Sequence, residues 1–217
     1  MSENKTPWRV LVINPGSTST KVGVFEGDEC KLSKNVAHDA KDLAQFDGVS
    51  AQMPYRCDLI LAALDEAGLS LVDFDAFVGR GGGLLSLPGG TYAINEVMLE
   101  HARIGANGVQ HPAQLGPQIA YEFASKTGKP SFVVNPPDTD ELCDLARMTG
   151  IKGVYRNVHL HALRQSSVAP MMSATSSFAI LAVASLSRLI LRARWWTATT
   201  SSAARVPWRR RAADRFP

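Results

Sequence analysis

The sequence predicts a layered α/β domain, and three observations carry that expectation. The segment up to Ala37 reads as three strands joined by tight turns. Beyond it, short apolar strands alternate with stretches of helical apolar spacing. At 217 residues and 45% hydrophobic content, the chain has enough apolar surface for one good core.

Trp8 to Asn14 reads as a buried strand, because Val10, Leu11, Val12 and Ile13 form an unbroken apolar run ended by Pro-Gly. Lys21 to Phe25 alternates back as its hairpin partner, and a third strand falls within Lys31 to Ala37. Ile60, Ala63, Leu64 and Ala67 share one helical face, with Gly68 as the stop. Ala76-Phe77-Val78 is a strand that runs into Gly79-Arg80-Gly81-Gly82-Gly83, where successive glycines allow a backbone to approach a ligand closely. Helical patterns recur at Asn95 to Ile104, Ala113 to Thr127 and Asp140 to Met148, with a strand at Pro130 to Val134.

Cys30, Cys57 and Cys143 are odd in number and widely separated, which implies a reducing compartment. The first seven residues carry mixed charge and no apolar stretch of signal-peptide length, so the expected location is cytoplasmic. Charge divides the chain at Leu163. Residues 1–163 hold 14 Lys and Arg against 19 Asp and Glu, whereas residues 164–217 hold nine Arg, no Lys and the single acid Asp214. That tail, rich in Ser and Ala and without Gly, does not continue the composition of the preceding domain.

The segment Asn14-Pro15-Gly16-Ser17-Thr18-Ser19-Thr20-Lys21 gathers hydroxyls, backbone amides and one Lys in a turn between two strands. Such a turn suits a phosphate: Gly16 lets amides converge, the hydroxyls add donors and Lys21 adds charge. The same composition also suits an ordinary Ser/Thr-rich hairpin turn. It is not a Walker loop, since a strand follows and the Gly-Lys-Ser/Thr ending is missing. Arg80, flanked by glycines, is suited to bind a carboxylate or a phosphoryl group through two parallel hydrogen bonds.

This turn resembles the signature of the acetate and butyrate kinases within the actin-like and sugar-kinase ATPase superfamily. The blocks Gly79–Gly83, Gly89-Gly90-Thr91-Tyr92, Gln110-His111-Pro112-Ala113, Asn135-Pro136-Pro137-Asp138-Thr139-Asp140-Glu141-Leu142 and Arg156-Asn157-Val158-His159-Leu160-His161-Ala162-Leu163 are similar to butyrate kinase blocks, in the family's order. The resemblance implies the ribonuclease H-like, actin-like ATPase amino-terminal domain over residues 1–163. It also implies transfer of a phosphoryl group between ATP and butanoate, with Mg²⁺ and with a homodimer in a complete version. Acetate, propionate and branched-chain acids are alternative substrates, and an inactive fragment with a basic interaction tail is the alternative outside the enzyme class.

The resemblance also assigns roles. Asn14, Gly16, Ser17, Ser19 and Lys21 would bind phosphate. Arg80 would meet the carboxylate or the transferring phosphoryl, and His161, two residues from His159, would donate to the phosphoryl oxygens. His111 is similar to an active-site histidine, although His-Pro is also a natural turn before a helix. Asn135 stands where related kinases carry an Asp; a neutral amide cannot act as a base, so its expected role is to orient substrate. The alternative is that Asp138 or Asp140 substitutes for that Asp through a shifted loop; both acids also suit capping of a following helix, the reading favoured for Asp140. The sequence gives no metal ligands.

A kinase of this superfamily closes two domains around ATP. Residues 164–217 are too few, and too poor in Gly and acids, for an ordinary second domain. Phe178 to Leu191 is too short to span a bilayer comfortably, so no membrane partner is expected. The cluster Trp208-Arg209-Arg210-Arg211 has no binding motif around it, so no nucleic-acid partner is expected either. The tail is expected to be either unrelated to the domain or kinase coding sequence read in a shifted frame. Because Trp has a single codon, reading Trp195-Trp196-Thr197 from the third base gives Val-Asp, and the same frame permits Gly-Gly-Gly after Ala179 and Glu-Gly-Pro within Ala204 to Pro207.

Overall fold

The computed structural model describes residues 7–156. They form a six-stranded sheet with helices packed on it. Arg9–Pro15 (β1), Ser19–Glu26 (β2) and Glu29–Ala37 (β3) make an antiparallel meander. Ala76–Gly79 (β4) pairs parallel with β1, and Ser131–Val134 (β6) pairs parallel with β4. Thr91–Ala93 (β5) closes the edge antiparallel to β6, giving the order β3-β2-β1-β4-β6-β5. This mixed sheet, a meander continued by parallel strands, is the ribonuclease H-like arrangement.

The apolar run of β1 is buried on both faces, as its lack of alternation implies. Leu11 and Ile13 pack with Val22, Val24, Ile60, Leu64, Leu115, Ile119 and Phe123, under Met53–Asp65 (α2) and Leu115–Thr127 (α4). Val10 and Val12 face the other way and cluster with Phe25, Ala76, Val78, Phe132 and Val134. Glu96–Ile104 (α3) packs Met98 and Ala102 into the first of these clusters; it is capped at its start by the Asn95 side chain, which accepts from the Met98 amide, and ended by Gly105 at φ 68°.

Several elements differ from their expected extents. The short helix Ala40–Leu43 (α1) and strand β5 carry too few periodic residues to be read from pattern. The helix expected from Ala113 begins as a 3-10 turn at Pro112–Gln114 before α4. The helix expected over Asp140 to Met148 is reduced to Asp144–Arg147 (α5), because Asp140 instead pairs with Arg147 and accepts from the Leu142 amide. No helix among the described residues is long and apolar enough to cross a membrane. The boundary at Leu163 and the tail 164–217 lie outside the described residues.

Helix α4 and strand β4 touch backbone to backbone. A Cβ on Gly116 would lie 2.0 Å from the Arg80 carbonyl oxygen, and one on Gly79 would lie 2.1 Å from that of Gly116. An alanine in a helix ordinarily gains up to about 1 kcal/mol over glycine. Here the clash is with backbone that cannot step aside, so Gly116→Ala is expected to lose about 3 kcal/mol or more, read as a lowered urea midpoint. An unchanged midpoint would mean that this crossing is looser than described.

Candidate functional site

Ligands of open sheets with parallel strands gather beyond the carboxyl ends of those strands, where neighbouring connections diverge. In this sheet that place lies between β1, whose chain turns toward β2, and β4, whose chain turns toward the glycine segment. Asn14 is the β1 residue that pairs with Lys21 on β2, so cross-strand register puts both on one face. Arg80 leaves the end of β4 with its N–H on the Ile13 carbonyl at 2.9 Å, and its Nη1 lies 3.5 Å from Asn14 Oδ1. Asn14, Lys21 and Arg80 are each half-buried.

The turn between β1 and β2 is closed by the Gly16 N–H, which donates to the Ser19 carbonyl at 2.7 Å. That amide is therefore committed to the turn. Ser17 and Thr18 are exposed at its tip, Ser19 is half-buried, and neither Ser17 nor Thr18 N–H meets an acceptor among the described residues. The donors left for an anion are those two amides with their hydroxyls.

His111 stands at the start of the turn that leads into α4. Its Nδ1 accepts the Ala113 N–H at 3.1 Å, while its own amide donates to Gln114 Oε1 at 2.7 Å. An Nδ1 that accepts fixes the proton of the neutral ring on Nε2, which has no partner among the described residues. Partial burial, and then the charges of Arg80 and Arg56, hold its pKa below the usual histidine value. At neutral pH it is thus an Nε2–H donor within the electrostatic reach of Arg80.

Asn135 takes a different position. It adopts φ 40°, its Oδ1 accepts the Gly90 N–H at 2.8 Å and its own N–H donates to the Gly90 carbonyl at 2.9 Å. It braces the Gly89-Gly90 turn, and its Nδ2 has no hydrogen-bond partner among the described residues. The glycines around Arg80 also serve the protein more than a ligand. Gly81 and Gly82 are buried, and added Cβ atoms would lie 2.7 Å from the Cβ of Pro136 and of Ala113 respectively. Arg80 is thereby held in place by tight packing of its neighbours. His161 and His159 lie outside the described residues.

Of the acids, Asp140 is committed to Arg147 at 2.7 and 2.8 Å; burial raises its pKa, but these bonds and the Leu142 amide take it below the ordinary value. Asp138 is buried and accepts from Asn107 Nδ2 at 2.6 Å. Among the described residues no group of three or more His, Cys, Asp or Glu is arranged to hold a metal. The cationic and amide donors fit a polyphosphate, and a Mg²⁺ carried on its oxygens and waters needs few protein carboxylates.

Two residues of this region, Arg56 and His38, escape a reading by motif. Arg56 on α2 is fully buried and donates through Nη1 to the Gly16 carbonyl at 2.9 Å and to Thr20 Oγ1 at 3.1 Å. Thr20 is also buried, and its Oγ1 lies 2.8 Å from Nε2 of the buried His38. Burial, and then the Arg56 charge, push the His38 pKa down to about 4, so its ring is neutral. The signal for Arg56 was its spacing: it precedes Ile60 and Leu64 at four-residue steps, on the stripe otherwise reserved for apolar residues.

No known family model matches the chain. Among solved structures it is similar to an acetate kinase from Entamoeba histolytica, at 16% identity and a TM-score of 0.48, over 74% of this chain and 45% of that one. It is similar to the Porphyromonas gingivalis acetate kinase at 17% identity and a TM-score of 0.46, over 75% and 48%. A third similar structure is T. thermophilus RuvC in complex with a Holliday junction substrate, at 12% identity and a TM-score of 0.38, over 84% and 96%. The chain spans less than half the length of the two acetate kinases.

Proposed function

We propose that the strand-end cluster is one wall of a carboxylate kinase site, whose parent reaction joins ATP and butanoate to give ADP and butanoyl phosphate. The observation that carries this reading is the meeting of Asn14, Lys21 and Arg80 at the ends of β1, β2 and β4. Two anions must approach each other for this chemistry, and fixed positive donors offset their repulsion without reorganising. In the transfer, a carboxylate oxygen attacks the γ-phosphorus while the bond to the bridging oxygen breaks and leaves with ADP. Lys21 and the Ser17–Ser19 turn hold the phosphate chain, Arg80 spans the carboxylate and the transferring group, and His111 donates from Nε2. Asn135 orients the acid through Nδ2, and His161 adds a second donor. Mg²⁺ supplies further charge neutralisation when bound with the nucleotide. A cytoplasmic homodimer completes the proposal.

The test is carboxylate-dependent release of ADP by a chain whose reading frame is restored after Leu163, measured with acetate, propionate, butanoate and isobutanoate. Each methylene in a fitted apolar pocket is worth about 1–3 kcal/mol, so kcat/KM for butanoate is expected to exceed that for acetate by about tenfold or more. A maximum at acetate would replace butanoate as the substrate, and ADP release that ignores every acid would remove the carboxylate kinase reading.

A further inference from the structure

We infer that Arg56 is a positioning residue for the phosphate turn: a buried guanidinium without a carboxylate partner that draws the Gly16 carbonyl inward and turns the neighbouring amides toward a bound polyphosphate. The inference rests on the anion-binding reading of the turn and deepens it.

Arg56 is 0% exposed, and no Asp or Glu among the described residues pairs with it. Its hydrogen bonds all go to neutral acceptors. Nε and Nη2 donate to Gln52 Oε1 at 3.2 and 2.9 Å, and Nη1 donates to Gly16 O and Thr20 Oγ1. Burying a charge without a counter-charge is costly, and an apolar side chain of similar volume is commonly no worse for stability. Packing therefore gives no reason for an arginine here, whereas an anion at the turn does.

The peptide geometry gives the mechanism. In a trans peptide the carbonyl and the following N–H point in opposite directions, so holding Gly16 O toward Arg56 aims the Ser17 N–H outward. Ser17 and Thr18 are the exposed residues whose amides have no protein acceptor among the described residues. Thr20 links the arginine to His38. Its Oγ1 accepts from Arg56 Nη1 at 3.1 Å and shares a 2.8 Å hydrogen bond with His38 Nε2. The neighbours of this network are His38 itself and Tyr55, whose ring stands 5.6 Å from that of His38. With His38 neutral, the positive charge of this network is that of Arg56.

The test titrates sodium tripolyphosphate into the 217-residue chain, Arg56→Lys and Arg56→Gln by calorimetry at fixed ionic strength and pH 6, which favours the charged form of a lysine more than neutral pH does, with thermal unfolding measured in parallel. Both variants are expected to lose similar stability. Arg56→Lys should bind within about threefold of the parent chain, and Arg56→Gln should bind about tenfold or more weakly. Equal binding by Arg56→Gln and the parent overturns the role of Arg56 and leaves the anion reading intact. Losses in both variants that follow Tm make Arg56 a merely structural residue and also overturn it. Absence of binding by the parent chain overturns both readings. Should Arg56→Gln fail to fold, amide resonances decide: tripolyphosphate must shift the Ser17 and Thr18 N–H signals in the parent and in Arg56→Lys, and shifts confined elsewhere overturn the inference.

Discussion

Replacing Arg80 with alanine, in a chain whose reading frame is restored after Leu163, is expected to lower turnover about a hundred- to a thousandfold, a far larger effect than its effect on stability. The separation follows from where the side chain sits. Its backbone N–H holds the end of β4 to Ile13, and the substitution leaves that bond in place. Its side chain is half-buried, with Nη1 3.5 Å from Asn14 Oδ1, the outer limit of a hydrogen bond. In the proposed reaction the guanidinium spans both anions, so its loss falls on the transition state, where charge must be shared across three centres. Both readouts are needed: turnover from acyl phosphate formation and stability from urea unfolding. Wild-type turnover by Arg80→Ala would remove Arg80 from the site, and a large loss of stability would recast it as a structural residue.

The fold was legible wherever a strand is apolar on both faces or a helix carries a regular stripe. Val10 to Ile13 announced β1, and Ala76-Phe77-Val78 announced β4, because short apolar runs ended by Gly or Pro suit strands buried on both faces. Strand β5 was not legible, since Thr91, Tyr92 and Ala93 form an edge too short to show a period. The shortened α5 has another cause. Asp140 and Arg147 have helical spacing in sequence, but their ion pair closes a loop instead.

The site was partly legible, because glycines and hydroxyls at a strand end mark a place where backbone comes close to something. What they cannot say is whether that neighbour is a ligand or the protein. At Gly79 and Gly116 the neighbour is protein backbone, and at Gly81 and Gly82 it is Pro136 and Ala113. Arg56 was hidden for a different reason: a charged residue on an apolar stripe looks like an imperfection in the pattern until its hydrogen bonds to Gly16 and Thr20 are seen. Gln114 is similar, a fully buried amide whose Oε1 holds the His111 N–H and whose Nε2 donates to the Ala102 carbonyl at 2.9 Å.

The change of composition after Leu163 bears on the central claim, because a wall of cationic donors binds anions but does not by itself position two of them for transfer. Effective alignment of the reactants supplies about 7–11 kcal/mol of a barrier of this kind, and it requires groups on both sides of the reacting phosphorus. On the proposed shifted frame, the restored continuation supplies the second side. The gene itself is the first check, since its third-base frame must encode the Gly-Gly-Gly and Glu-Gly-Pro segments. The most direct measurement is formation of butanoyl phosphate, trapped with hydroxylamine as the hydroxamate, for both chains at matched concentration with Mg·ATP and butanoate. The restored chain is expected to form the hydroxamate and the 217-residue chain to form little or none; a restored chain that forms none, or equal formation by the two, would contradict the account.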